Sequence, residues 1–168
     1  MPKNIASENI KISKSYSALE RRAIARDIIE YIRDRTQQGK GKGGKKWSGS
    51  AGRYSQSYQK SLDFQLKKNK GVVNLTLSSD MLTAIELLKN KRGEISIGVP
   101  FGAEEWGRAK GNILGTYGQS KPISGKQRPF LDLSASEVKK ILAKYPLDEK
   151  RAQNIDELKT QEKIFEGD

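Results

Sequence analysis

Residues 75–142, LTLSSDMLTAIELLKNKRGEISIGVPFGAEEWGRAKGNILGTYGQSKPISGKQRPFLDLSASEVKKIL, hold the pattern that decides the fold. Apolar and polar residues alternate over residues 72–77 and again over residues 93–99, which is typical of β-strands with one buried face. Between these segments, apolar residues recur at helical spacing from Met81 to Leu88. We therefore predict an α+β fold, in which a small antiparallel or mixed sheet carries packed helices.

The second half of this stretch completes the predicted core. A short helix is expected around Trp106, and residues 112–126 form a glycine-containing loop that is too long for a tight turn. Ser134 and Glu137 then match a capping box, in which each side chain accepts an amide hydrogen bond at a helix start. An apolar stripe follows, so a last helix is predicted that ends before the next proline, and the core is assigned to residues 62–146.

The N-terminal part is polar and basic. Residues 1–16 are predicted to be an extended arm that only a partner would order. Ser17 and Glu20 form another capping box, so a helix is predicted over residues 17–38. Its isoleucines recur on one face, and we expect the other face to be basic. The arginines concerned are Arg21, Arg22, Arg26, Arg33 and Arg35.

Residues 39–61 form a basic run rich in glycine and serine, which predicts a long flexible loop. The first 53 residues carry 13 Lys and Arg against 5 Asp and Glu, so this end of the chain holds two thirds of the excess positive charge. Two interpretations stay open: a solvated loop, or a contact with phosphates or an acidic subunit, with Trp47, Tyr54 and Tyr58 as anchors. The basic residues of that contact would be Lys40, Lys42, Lys45, Lys46 and Arg53.

Nucleotide binding and catalysis are both unexpected. The glycines from Gly39 to Gly44 and the following Lys45 imitate a P-loop, but Lys46 stands where a Ser or Thr must meet the metal. The chain has no Cys and no His, which excludes disulfides, Cys/His zinc sites and His-dependent catalytic triads. The remaining carboxylates suit helix starts and polar faces better than a magnesium site. We weighed Asp80, Glu86, Glu94, Glu104 and Glu105, and predict no enzyme, metal or cofactor.

Charge and hydrophobicity limit the partners. A net charge of +12 favours a polyanion or an acidic protein surface as a neighbour, while only 35% of residues are hydrophobic, so partner-dependent segments are expected. Residues 147–168 are predicted to be an acidic interaction tail, because residues 148–168 carry seven acidic and four basic side chains. No apolar segment is long enough to predict a membrane span or an export signal.

The order of these motifs resembles a known family. The series LTLSSDML at 75–82, ISIGV at 95–99, a glycine loop and RPFLDLS at 128–134 is similar to the virion-morphogenesis and tail-completion proteins of tailed bacteriophages, of the Mu and HK97 types. The resemblance covers about residues 58–142. It departs from the family where Glu105, Trp106 and Gly107 replace a His-containing segment, and where Asp132 replaces a glycine.

The resemblance implies a structural protein of the virion neck, a tail-completion or tail-terminator subunit that forms a ring around the DNA path. The ring would be a hexamer, assembled in the host cytoplasm, with neighbouring neck, head-completion and tail tube or sheath proteins as partners. Non-specific contact with packaged DNA, and no membrane contact, would be expected. The rival hypothesis is a nucleic-acid-binding protein that acts through its Lys/Gly-rich arm.

The closing phrase is expected to provide core or interface anchors. The simpler interpretation makes Phe130 and Leu131 ordinary core residues and Pro129 a guard on an edge strand. The functional interpretation adds Arg128 as an ion-pair donor to a neighbouring subunit. Trp106 and Trp47 are the other expected anchors.

Overall fold

The computed structural model describes residues 4–66, 73, 75, 79–117 and 119–147. Within them lies a three-stranded antiparallel sheet with the strand order β1-β3-β2. The strands are β1 (Ser7–Lys11), β2 (Glu86–Lys91) and β3 (Glu94–Gly98). The helices are α1 (Ala18–Gln37), α2 (Gln56–Gln59), α3 (Leu62–Leu66), α4 (Ser79–Thr83), α5 (Trp106–Leu114) and α6 (Ala135–Leu142). The predicted α+β class is confirmed, and the predicted tail lies outside these residues from residue 148 onward.

The centre of the core is β3, which is paired along both edges. Ile95, Ile97 and the following Val99 are fully buried. Helix α1 packs against β2 and β3, and α6 lies beside α1. Ser96, between the two isoleucines, is only 5% exposed, so both faces of this strand are covered.

The N-terminal arm is where the structure first differs from the sequence-based expectation. Residues 7–11 are not a free arm but the strand β1, which pairs antiparallel with β3. Ala6, Ile10 and Ile12 alternate into the core and are at most 9% exposed. The prediction was wrong because β1 is short and polar, and its pairing partner lies almost ninety residues further along the chain.

The helix predicted from Met81 to Leu88 was also wrong beyond its first turn. Helix α4 ends at Thr83, and the chain continues as strand β2. The apolar residues that indicated a helix are shared between elements: Met81 and Leu82 lie in α4, Ile85 precedes β2, and Leu88 lies at a bulge in the pairing of β2 with β3. A two-residue turn then joins β2 to β3, with Gly93 at φ 85°, a backbone angle that favours glycine.

The strand predicted over residues 72–77 is described at two positions only. Val73 and Leu75 are buried, as core residues of that strand would be, but neither lies in a strand. Leu75 has φ 52°, in the left-handed region, which breaks an extended conformation. The other four residues of this prediction lie outside the described part of the chain.

Both capping boxes are confirmed. Ser17 accepts a hydrogen bond from the amide of Glu20 at the start of α1, and the carboxylate of Glu20 accepts one from the Ser17 amide. Ser134 and Glu137 do the same at the start of α6. In the described part of the chain, no helix is both long enough and apolar enough to span a membrane.

The basic face predicted for α1 is largely used within the molecule. Arg33 donates from Nε to the Leu82 carbonyl at 2.9 Å, and its Nη2 donates to the carbonyls of Thr83 and Ile85. Arg21 binds the Asn90 side chain and the Tyr16 carbonyl. Arg33 holds the segment before β2 to the helix, because backbone carbonyls outside regular pairing need donors, and Arg21 holds the other end of β2.

Candidate functional site

A buried carboxylate, Glu137, joins three parts of the chain. Its Oε1 accepts hydrogen bonds from Arg35 Nη1 at 2.9 Å and from the Tyr31 hydroxyl at 2.8 Å, both on α1. Its Oε2 accepts from the backbone amides of Ser134 at 2.8 Å and Gly43 at 2.9 Å. The Arg35 and Glu137 side chains are 3% and 6% exposed, so this ion pair lies inside the protein.

Arg35 extends this network to the closing phrase. Its Nη2 donates to the backbone carbonyl of Phe130 at 2.7 Å and to that of Asp132 at 2.9 Å. The sequence placed Arg35 on the exposed basic face, which was wrong. Because each partner lies about a hundred residues away in the sequence, only the packing of α1 against α6 reveals this role.

The hydrogen bonds to Glu137 change its titration. Burial raises the pKa of this carboxyl, but the amides of Ser134 and Gly43, the Tyr31 hydroxyl and Arg35 outweigh burial and lower the pKa from 4.5 to about 2. Burial, followed by the hydrogen bond to Glu137, raises the pKa of the Tyr31 phenol. Glu137 is therefore ionised at all physiological pH values and holds its donors as a fixed negative charge.

This shift predicts a pH-dependent stability. Since the folded-state pKa lies below that of the unfolded chain, Glu137 contributes stability above pH 4.5 and loses it as the pH falls toward 2, by about 3 kcal/mol in all. We expect the difference in free energy of unfolding between wild type and Glu137→Gln to be largest at neutral pH and to shrink below pH 4.5. Denaturant titrations at several pH values measure it. If wild type and Glu137→Gln lost stability in parallel as the pH falls, the pH dependence could not be assigned to Glu137.

The basic segment after α1 forms a hydrogen-bonded lysine turn, residues 40–46, that rests on Glu137. A β-bridge pairs Lys40 with Lys46, and the Gly41 amide donates to the Lys45 carbonyl at 2.8 Å. The indole of Trp47 covers Gly41 so closely that a Cβ there would lie 2.7 Å from its Nε1. The flexible loop predicted here is therefore an anchored turn at this point.

The turn presents three lysines to solvent. Lys42, Lys45 and Lys46 are exposed, and none of the ion pairs found among the described residues involves them. Lys40 is half-buried, and its Nζ donates to the Gln38 side chain at 2.8 Å. Three of the four lysines singled out in the sequence are thus brought together as unpaired cations on one turn.

Arg128 is buried within the chain and holds a backbone segment in place. It is 5% exposed, and it donates from Nε to the Ala51 carbonyl at 2.8 Å and from Nη2 to the Arg53 carbonyl at 3.0 Å. Its guanidinium lies 5.8 Å from the ring centre of Tyr54 and 5.5 Å from that of Tyr117. Arg128 is thus an internal clamp, and its ion pair with a neighbouring subunit stays a prediction. The Arg53 side chain is exposed.

The other anchors also have partners within the chain. Phe130 and Leu131 are 0% and 2% exposed, so their prediction as core residues is confirmed. Pro129 is half-buried outside any strand, so it is not an edge-strand guard. Trp106 is half-buried, and its Nε1 donates to the Asn4 side chain at 2.8 Å.

Arg128 lines an open cleft of about 1050 Å³, which we call the arginine cleft. Helix α5 forms one wall, and the aromatic residues after the lysine turn form another. None of the described residues that line it is acidic. Its main lining residues are Tyr54, Tyr58, Gly107, Arg108, Tyr117 and Lys126, together with Arg128.

Sequence reasoning missed the pairing of Arg35 with Glu137 and the cleft itself. Glu137 was already explained by its capping box, so no further signal indicated a long-range partner. Among the described residues, no group of three or more His, Cys, Asp or Glu side chains is arranged to hold a metal ion.

Comparison with known proteins adds no identification. No protein-family model, curated protein or solved structure matches this chain. What the fold and the site define is a small α+β protein with a cationic turn on a buried carboxylate and a cationic cleft beside it.

Proposed function

We propose that this chain is a structural protein of the head–tail joint of a tailed bacteriophage. It would be a tail-completion or tail-terminator type of connector subunit, and its copies would form a hexameric ring around the DNA path in the virion neck. The observation that carries the proposal is the lysine turn, a group of exposed cations held at a fixed place on the fold.

The resemblance in the sequence and the lysine turn are physically linked. The phrase at residues 128–134 supplies the buried Phe130 and ends at Ser134, the cap of α6. Helix α6 in turn carries Glu137, which binds the Gly43 amide at the tip of the lysine turn. The motif that suggested the family therefore positions the cations that would face DNA.

The chemistry of the turn suits DNA in a channel. Ammonium groups on flexible stems attract phosphates without reading base edges, so packaged DNA of any sequence could pass. A ring adds the cations of all subunits, and each subunit therefore needs only weak affinity by itself. The three lysines extend from an anchored turn, which keeps them at one radius of such a ring.

The rival function is a nucleic-acid-binding protein that acts without assembly. The same unpaired lysines favour it, and the two proposals differ in affinity. A dedicated binder would bind duplex DNA tightly as an isolated protein, whereas a connector would bind it weakly and would be found in particles.

We expect the triple variant Lys42→Ala, Lys45→Ala, Lys46→Ala to reduce duplex binding and its salt dependence. If each lysine meets one phosphate, the slope of log affinity against log salt should become shallower by roughly 3. Fluorescence anisotropy with a labelled duplex from 50 to 200 mM salt would measure it, and three phosphate contacts correspond to a loss of roughly 40-fold in affinity over this range. The matched control replaces the exposed Lys91, Lys139 and Lys140, which removes the same charge elsewhere.

Equal losses in both triple variants would show that net charge, and not the lysine turn, governs binding. The connector proposal itself is tested in particles. Electron microscopy with mass spectrometry of purified virions should find the chain at the neck in several copies. Its absence from purified particles would overturn the proposal, and tight duplex binding by the isolated protein would favour the rival.

A further inference from the structure

The arginine cleft is lined by cations. Arg108, Lys126 and Arg128 line it, and none of the described lining residues is acidic. Arg108 pairs at the rim with Glu105 at 3.1 Å, whereas every partner of Arg128 among the described residues is neutral. These partners are the carbonyls of Ala51 and Arg53, the Asn112 side chain and the Tyr117 phenol. A cation held at 5% exposure among neutral acceptors attracts an anion strongly, because little water screens it.

The donors of Arg128 are not all used. A guanidinium has five N–H groups. Three are accounted for, by Ala51, Arg53 and, at the longer distance of 3.4 Å, Asn112. The Tyr117 phenol oxygen accepts a fourth, which leaves one N–H without an acceptor among the described residues. A carboxylate has the charge and the acceptor oxygens to bind it.

The wall of the cleft has room for a side chain. Gly107 and Gly111 lie one turn apart on α5 and both line the cleft. A Cβ built on Gly107 would meet no atom within 4 Å, so space is open in front of it. Tyr58, Tyr117 and Ile123 add aromatic and apolar surface to the cations. Such a lining fits a peptide that mixes carboxylates with apolar side chains.

We propose that the arginine cleft binds the acidic segment 148–168 of a second copy of this chain. The segment carries seven acidic and four basic residues, opposite in sign to the cleft, with apolar residues interleaved. These are Ile155, Leu158, Ile164 and Phe165. The inference rests on the proposed ring, in which each subunit contacts the next through unlike surfaces.

The direction of α6 favours a second copy over the same chain. The Tyr16 hydroxyl donates to the Tyr145 carbonyl, so the described C-terminal end lies at the start of α1. Arg35 binds Phe130 near the other end of α1, which places the cleft there. A helix of 20 residues is about 30 Å long, so within one chain roughly nine extended residues after Leu147 would only bridge this distance, and Asp148 and Glu149 could not reach the cleft.

The absence of native cysteine allows a direct cross-linking test in the full chain. Ser57→Cys places a thiol on the exposed lining of the cleft, and Gln153→Cys, Glu157→Cys and Gln161→Cys place one in the segment in turn. When the two kinds of variant are mixed and mildly oxidised, we expect a disulfide-linked heterodimer at least ten times more abundant than with Arg92→Cys. Arg92 is exposed on the β2–β3 turn and serves as the matched control.

A blocking variant gives a second readout. Gly107→Leu should fill the cleft and lower cross-linking to the control level, while Tm stays equal or rises because leucine favours a helix over glycine. Cross-linking that persists in this variant would overturn the proposal. The double variant Ser57→Cys, Glu157→Cys tests the same chain as a source of the segment. If it forms an intramolecular disulfide, seen as a faster-migrating monomer, and the mixed single variants form no heterodimer, the segment binds the cleft of its own chain and the proposal is overturned.

The same variants test other occupants of the cleft, and they distinguish failure of this contact from failure of the proposed function. If a single-stranded oligonucleotide protects Ser57→Cys from thiol labelling and the synthetic peptide 148–168 does not, the cleft is a nucleic-acid site and the proposal fails. If cross-linking fails but the chain is still found at the virion neck, only the contact between the arginine cleft and segment 148–168 is refuted. Absence from particles would remove the connector function, whatever the cross-linking shows.

Discussion

Glu137→Ala should lower the free energy of unfolding by about 3–5 kcal/mol, because it leaves the Arg35 guanidinium buried without a counterion. The Gly43 amide and the amide at the start of α6 lose their acceptor as well. Denaturant titration at pH 7 measures the loss. We also expect trypsin to cut the lysine turn faster, since the turn loses the carboxylate that holds its tip.

The matched control is Glu94→Ala, which breaks the ion pair with Lys89. That pair is equally short at 3.0 Å, but its side chains are 42% and 33% exposed. Solvent screens such a pair, so its loss should cost at most about 1 kcal/mol. Comparable losses in the two variants would mean that the Glu137 network is no more than an ordinary surface contact.

Local chemistry made much of the fold predictable. The capping boxes at Ser17 and Ser134 mark the starts of α1 and α6, because two reciprocal hydrogen bonds within four residues need no tertiary context. The alternation over residues 93–99 indicated β3 for a similar reason. These elements carry their own signal in the spacing of neighbouring residues.

Elements that depend on a distant partner were not predictable in the same way. Strand β1 has a single large apolar residue, Ile10, and forms because β3 offers it an open edge. The helical spacing from Met81 to Leu88 runs across the end of α4 and into β2, where Leu88 lies at a bulge. Pairing and packing decide both cases, and neither leaves a mark on the local sequence pattern.

The residues of the candidate site were likewise predictable only where they need no distant partner. The exposed cations at Lys42, Lys45 and Lys46 were visible as composition, because solvent-facing charge needs no partner. The pairing of Arg35 with Glu137 was not predicted, since the basic face of α1 already explained Arg35 and the capping box already explained Glu137. Arg128 was singled out in the sequence, but its bonds to the carbonyls of Ala51 and Arg53 were not predicted, because sequence shows that an arginine is present and not which carbonyls it will bind.

Arg128→Ala is the second large effect that we expect, a loss of about 3–5 kcal/mol in the free energy of unfolding. The variant removes charge-assisted hydrogen bonds to the carbonyls of Ala51 and Arg53, each worth about 1.5–3 kcal/mol, and leaves acceptors in a closed environment. The segment before Tyr54 should become accessible to protease, because Arg128 is its clamp. Denaturant titration and limited proteolysis of the isolated protein measure both.

The control for Arg128 separates an internal clamp from an intersubunit contact. Arg108→Ala removes a cation from the rim of the same cleft, where the side chain is 54% exposed, and should cost at most about 1 kcal/mol. Arg128→Lys keeps the charge but loses the fork that reaches two carbonyls, so it should recover only part of the stability. If Arg128 served mainly a neighbouring subunit, all three variants would unfold like wild type and only assembly would suffer. A normal unfolding curve for Arg128→Ala would therefore return this residue to the subunit interface.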